Sequence, residues 1–347
     1  MLQSEVFLVG RNAKENPLFS VAWYYPNTYA VGMSGLGYQL VWSLFERHPE
    51  VIVRRGFTDT EEPGAAESEL QGFTVSWELD LINILNQLQK NGISPLAADR
   101  GDGEPFVFGG GPVLTANPEP FADFFDLILV GDAETMVPAF IEKWKEIRSI
   151  ESRKERLLRL SEVPGIYVPS LYQIEYEQGG PIKSIRTISD GVPEKVEKQI
   201  FASPPDYAAH TLILSNDTAW GDRFLIEVVR SCPQECRFCL ASFLTRPFRA
   251  ASVDTLMQKI ESALPYTQKI GLLGPSVTEH PAFEDLAQRL LSKGNIDISV
   301  ASIRADSLSQ SILEMIHKLG QRSVTIAIES GSERLRAIMK KNLSEEQ

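Results

Sequence analysis

The sequence predicts an α/β protein in two parts: a flavodoxin-like or Rossmann-like parallel sheet at the amino terminus, and a partial TIM-type (β/α) barrel at the carboxyl terminus. Three observations predict it. Apolar, strand-like runs alternate with amphipathic helical stretches in both halves of the chain. Glycine and polar residues gather directly after the strands, on the edge where parallel sheets and barrels bind ligands. The only cysteines, Cys232, Cys236 and Cys239, fall within eight residues, just past the apolar run at 224–230.

From Pro17 onward the elements follow in order. Residues 18–25 read as a first strand, Pro26-Asn27-Thr28 as a loop, 34–45 as a helix and 51–54 as a short strand. A strand at 72–76 precedes a helix at 79–89, which Asn91-Gly92 stops. The strand 106–108 runs into Gly109-Gly110-Gly111-Pro112, and the strand 127–130 into Gly131-Asp132-Ala133-Glu134 and a helix to 147. Gly32, Gly35 and Gly37 lack the G-x-G-x-x-G spacing of a dinucleotide site, so a nicotinamide cofactor is not expected.

Residues 149–220 read as a connector. It holds a charged helix at 151–160, extended runs at 165–171, 172–177 and 182–188 with a Gly179-Gly180-Pro181 turn between the last two, and an extended linker at Ser203-Pro204-Pro205. From 221 the alternation resumes, with helices at 253–263, 282–292, 308–319 and 333–340 and strands at 269–273, 296–301 and 324–328. Three domains are therefore expected, at 1–148, 149–220 and 221–347.

A chain of 347 residues, 43% hydrophobic and 23% charged, is long enough for more than one core. No uninterrupted apolar run is long enough to span a bilayer, and Met1-Leu2-Gln3-Ser4-Glu5 does not read as a signal peptide, so a reducing cytoplasm is expected. The net charge of −12 argues against a nucleic-acid partner, since phosphate backbones are held by clustered Lys and Arg.

The chemistry centres on Cys232-Pro233-Gln234-Glu235-Cys236-Arg237-Phe238-Cys239. Cubane clusters are normally held by four thiolates, so three at this spacing leave one iron open. A zinc site would need a distant fourth ligand such as His210, and a disulfide would strand one thiol. Those alternatives stand beside the cluster.

Cys232, Cys236, the aromatic Phe238 and Cys239 resemble the signature of the radical S-adenosylmethionine (SAM) superfamily. The resemblance implies a 4Fe-4S cluster whose open iron chelates SAM, an electron from a donor such as flavodoxin or ferredoxin, and cleavage to a 5'-deoxyadenosyl radical. It also implies SAM contacts after each following strand. These are Gly274 and Ser276 in a glycine-rich segment, Ser302 and Arg304 in an S-x-R pattern, and Glu329 and Ser332 in Glu329-Ser330-Gly331-Ser332. The plainer reading is that each ends a strand or caps a helix, Ser332 above all. Arg246-Pro247-Phe248-Arg249 is expected to brace the cysteine loop rather than contact substrate, His280 to be a loop residue, and Glu227 to be buried and paired.

A second resemblance covers residues 15–148. Tyr25-Pro26-Asn27-Thr28-Tyr29, Gly32-Met33-Ser34-Gly35-Leu36-Gly37, Gly109-Gly110-Gly111-Pro112, Asn117-Pro118-Glu119-Pro120 and Gly131-Asp132-Ala133-Glu134 are similar to the amino-terminal domain of B12-binding radical SAM proteins. It implies cobalamin as a further cofactor, assisting methylation or rearrangement. The D-x-H-x-x-G pattern is absent and the domain's only histidine is His48, so a domain that keeps the fold without the corrin stands beside that reading. Four β/α units are visible where the family usually has six, so a truncated barrel with an exposed sheet edge is expected. Two other functions remain in view: a methylthiotransferase-like tRNA modifier, although the amino-terminal half lacks that family's cysteines, and a nonenzymatic iron-sulfur or zinc scaffold.

Overall fold

The computed structural model describes residues 5–11, 13–300 and 303–346. The chain divides into two compact units, Gly10–Phe201, and Met1–Val9 joined to Ala202–Gln347. The strand β1 (Val6–Phe7) precedes the first unit in sequence and belongs to the second.

The first unit is built on β2 (Phe19–Tyr24), β3 (Val51–Gly56), β4 (Leu70–Thr74), β5 (Phe106–Gly110), β6 (Leu127–Leu129) and β7 (Ile166–Tyr167). They form one sheet in the order β3-β2-β4-β5-β6-β7, parallel from β3 to β6 and antiparallel only at β7. The alternation of β2 shows why both faces are apolar. Ala22 and Tyr24 enter a core with Phe73, Val107 and the helical Ile84 and Leu88. Trp23 points the other way, stacked with Tyr38 and Phe108, and the aromatic layer continues to Phe140 and Trp144 of the helix Ala133–Ile147. Helices thus cover both faces, the condition under which parallel strands carry near-continuous apolar runs.

This unit runs past residue 148, where the sequence placed a boundary, and the expected connector 149–220 is shared between the two units. The helix Arg153–Leu160, β7 and the hairpin β8 (Tyr172–Tyr176) and β9 (Ile182–Thr187) all belong to the first. The reason is a buried charge. Asp126 accepts from Arg153 Nη2 at 2.7 Å, Arg100 Nη1 at 3.0 Å and the Val107 amide at 2.7 Å, tying the charged helix beneath the sheet. Composition gives no sign of such a pairing.

In the second unit β1 pairs with β10 (Ile213–Leu214). The apolar run at 224–230 divides into β11 (Phe224–Glu227) and β12 (Val229–Arg230), the latter paired with β13 (Arg249–Ala250). With β14 (Lys269–Leu273) and β15 (Asp297–Val300), β11 makes a three-stranded parallel sheet in the order β11-β14-β15. Phe224, Ile226, Ile270, Leu272, Ile298 and Val300 pack with Leu256, Ile260, Leu286, Leu290, Ile312 and Ile316 of the following helices.

Neither edge of this sheet is bare. Thr211 donates to the Leu225 carbonyl and Glu227 to that of Ala209, each at 2.8 Å, along β11. Along β15, Ile298 donates to the Leu319 carbonyl at 2.9 Å, while the Gln321 carboxamide accepts from the Val300 amide at 2.6 Å and donates to its carbonyl at 3.2 Å. The side chain of Gln321 therefore occupies the place a fourth strand would take. The strand expected at 324–328 does not form: Ile326 makes one bridge to Ile303, and Ile326 and Ile328 are 38% and 52% exposed. An alternating apolar run is a strand only if a face of it can be buried. No helix among the described residues is long and apolar enough to cross a membrane.

Candidate active site

The cysteine loop leaves the carboxyl end of β11 after its short pairing at β12. Ser231 and Glu235 hold positive φ angles of 71° and 52°, uncommon for residues with a side chain, and they bend the chain tightly around Cys232 and Cys236. Ser231 is buried and donates to the Ser242 carbonyl at 3.0 Å, and the Cys239 amide donates to the Cys236 carbonyl at 3.0 Å. Cys239 then stands at the amino end of the helix Leu240–Leu244. All three thiols are free, with Cys236 buried and Cys232 and Cys239 partly exposed.

Ion pairs clamp the loop from outside. The Glu235 carboxylate meets Arg246 Nη2 at 2.6 Å and Lys340 Nζ at 3.0 Å, and Arg237 donates its amide to Met339 and Nη1 to the Ile338 carbonyl at 2.9 and 2.7 Å. Arg246 also lies over the Phe243 ring, 4.2 Å from its centroid. Arg246 thus braces the loop, while Arg249 turns to the carbonyls of Pro247 and Thr245. Glu227 pairs with Arg230 at 2.8 Å, as expected, but is only half-buried.

The carboxyl ends of β14 and β15 supply the next groups. A Cβ on Gly274 would lie 2.5 Å from Val229 Cγ2 and 2.8 Å from its carbonyl oxygen, so glycine there lets β14 close on β12. Ser276 is 2% exposed and its hydroxyl has no hydrogen-bond partner among the described residues. A buried hydroxyl left unpaired is costly, and a ligand's polar group would relieve it. Arg304 forks onto Asp306 at 2.9 and 2.6 Å and faces Glu279 at 3.6 Å. Burial opposes the charge on Arg304, yet Asp306, Cys236 and Glu279 outweigh it and hold its pKa above the usual guanidinium value. At Cys232 burial pushes the thiol pKa up; an amide at Gln234 and the Arg304 charge pull the other way, and Glu279 adds to the rise.

Glu329 has φ of 68° and pairs with Lys341 Nζ at 3.4 Å. Ser332 caps the helix Glu333–Ile338, accepting from the Leu335 amide at 3.4 Å, so here the plainer reading describes its contact. Buried Arg336 donates to the carbonyls of Ser330 and Leu343 at 2.9 and 2.7 Å. Through this stretch and Lys340 the Glu329-Ser332 segment is joined to the cysteine loop. Ser302 lies outside the described residues. His210 donates its Nδ1 hydrogen to the Ala208 carbonyl at 2.8 Å. His280 is in the loop after Val277–Glu279, as expected, and is buried there: it accepts from the Ala282 amide through Nδ1 and donates to the Ala251 carbonyl through Nε2 at 2.7 Å.

Sequence reasoning missed Glu279. It lies on the turn Val277–Glu279, three residues past Ser276, and accepts from Gln234 Nε2 inside the cysteine loop at 2.9 Å. Its only signal was an acidic residue in a strand-end loop.

The donor set fits a cubane cluster. Three free thiols stand on one tightly turned loop, and a cubane offers a separate iron to each thiolate while leaving one iron open. Ser276 fits SAM with an unpaired hydroxyl, and Arg304, whose Nε and Nη2 are held by Asp306, keeps Nη1 for a ligand's carboxylate.

Cobalamin fits less well at the carboxyl edge of the six-stranded sheet. Gly111, at φ 108°, lies so close to Val75 that a Cβ would be 2.7 Å from its carbonyl oxygen; Gly131, at φ 132°, would meet the Gln199 carbonyl at 2.2 Å. Phe201 also donates its amide to Asp132 at 2.9 Å. The glycines expected to admit a ligand instead admit the chain itself. His48 caps the helix Leu36–Arg47 just before β3, at the opposite, amino edge, and faces Glu142 at 3.2 Å. The residues present do not fit the corrin.

Comparison with known proteins agrees with the cysteine loop. Residues 226–347 match the family model described as the radical SAM superfamily, and residues 58–169 match that described as radical SAM proteins, N-terminal. The chain is also similar to an uncharacterized protein of Methanocaldococcus jannaschii, 28% identical over 331 residues. That alignment covers 94% of this chain and 64% of the relative, so the chain spans less than two thirds of its relative's length.

Proposed function

We propose that this protein is a radical SAM enzyme in which Cys232, Cys236 and Cys239 hold a 4Fe-4S cluster and the open iron takes SAM. The observation that carries the reading is the position of the only cysteines: one tightly turned loop at the carboxyl end of β11, with Ser276 and Arg304 at the ends of the next two parallel strands. When bound, the cluster supplies the electron that cleaves SAM to a 5'-deoxyadenosyl radical, which abstracts hydrogen from a substrate carbon.

The chain's own residues bind and orient. Arg304 faces the SAM carboxylate, the Ser276 hydroxyl gains the partner it lacks, and the glycine at 274 brings the β14 backbone close to the loop. Gly274, Glu329, Ser332 and Ser302 complete the contacts on resemblance. A flavodoxin or ferredoxin is the proposed donor in a reducing, cytoplasmic setting, with no nucleic acid as partner. The finer fold reading is a flavodoxin-like first unit, supported by the parallel order β3-β2-β4-β5-β6, and part of a (β/α) barrel in the second. No cobalamin step is assigned, because the carboxyl edge of the first sheet is filled by Val75 and Gln199.

The test is anaerobic reconstitution with iron and sulfide, reduction by dithionite, and chromatographic detection of 5'-deoxyadenosine. The wild type is expected to produce it, while Cys236→Ala loses both cluster and product. A wild type with a full cluster and no deoxyadenosine would sink the reading in favour of a scaffold.

A further inference from the structure

We infer that Glu279 is a positioning residue that joins the cysteine loop to Arg304 and lends the cluster site a negative charge; the inference rests on the radical SAM reading above. A single oxygen, Glu279 Oε1, accepts from Gln234 Nε2 at 2.9 Å and faces Arg304 Nε at 3.6 Å. Gln234 lies between Cys232 and Cys236, and Arg304 begins the loop after β15, so this oxygen links two of the parallel strand ends around the thiols. The link is doubled one residue away, where Thr278 Oγ1 and Ser307 Oγ are 2.6 Å apart.

The charge is not needed for packing. A glutamine could hold Gln234 as well, and Asp306 already satisfies Arg304 with two hydrogen bonds. Yet a carboxylate is kept here with its side chain only 18% exposed, at a desolvation cost that a neutral amide would largely avoid. Two carboxylates on one guanidinium leave the group net negative, and Glu279 is hydrogen-bonded to Gln234 inside the cysteine loop. Net charge near an iron-sulfur cluster helps to set its reduction potential, and a negative charge disfavours the added electron. Glu279 is thereby assigned two effects: it aligns Arg304 with the loop, and it keeps the reduced cluster strongly reducing.

The experiment compares the reconstituted full chain with Glu279→Gln and Glu279→Asp. It measures iron and sulfide content, the midpoint potential by redox titration followed by electron paramagnetic resonance, and the rate of deoxyadenosine formation. Glu279→Gln is expected to hold the wild-type complement of iron and sulfide, titrate at a more positive potential and form deoxyadenosine about tenfold more slowly. Glu279→Asp, which keeps the charge on a shorter arm, is expected to return the potential toward wild type. An unchanged potential in a fully loaded Glu279→Gln overturns the assignment, even if that variant melts earlier, since a merely structural role would move only the melting temperature. A wild type without a reducible cluster overturns the radical SAM reading itself, and the two failures are told apart by the wild-type signal.

Discussion

Single residues in this protein do their work through burial. Asp126, with its side chain 2% exposed, holds Arg100 and Arg153 together, and Arg153 also lies over the Phe106 ring at 4.0 Å. Glu104 lends Arg100 some further attraction, but Asp126 is the carboxylate that hydrogen-bonds both guanidiniums, so truncating it takes the ion pair from two buried cations. Asp126→Ala is expected to lose about 3–5 kcal/mol of stability in urea denaturation, whereas a surface pair such as Lys195 and Glu197 is expected to change little on truncation. Glu279 and Ser276 show the same dependence on environment. In the sequence they are ordinary loop residues; the fold removes them from water and makes their partners, or the lack of one, consequential.

At the scale of elements, the sequence located most strands and helices, because periodicity reports which faces are buried. The helix Val253–Ala263 and the strand β14 coincide with their expected limits. It misjudged 324–328, where alternation was present but the edge of β15 was already satisfied by Gln321. Glycine-rich strand ends were legible as close approaches, but not what approaches. At Gly131 it is the backbone of Gln199, which donates its amide to the Val130 carbonyl and accepts from the Asp132 amide. Gly131→Ala must place a side chain at φ 132° against that carbonyl, and is expected to cost about 2 kcal/mol or more. Limited proteolysis should then find new cleavage near residues 197–201; an unaltered digest and melting curve would count against this packing.

At the scale of the molecule, two units with separate cores carry different parts of the argument. The proposed cluster and SAM contacts all lie in the unit containing Ala202–Gln347, so ligand binding should stabilise that unit by mass action. Hydrogen exchange of the protein with and without reconstituted cluster is expected to gain protection around β11, β14 and the cysteine loop and to leave the sheet of Gly10–Phe201 unchanged. Protection rising equally in both units would contradict the assignment of the site to one of them.

The sequence by itself determined the α/β class, the order of the elements and the cysteine loop, since these depend on local period and on the spacing of ligands along the chain. Only the tertiary structure decided that residues 149–201 join the first unit, that the carboxyl edge of its sheet is filled by its own backbone, and that Glu279 reaches into the cysteine loop at Gln234. Each of these is a contact between residues distant in sequence, and such contacts leave no local pattern because the same side chain serves equally well in solvent until the fold brings its partner to it.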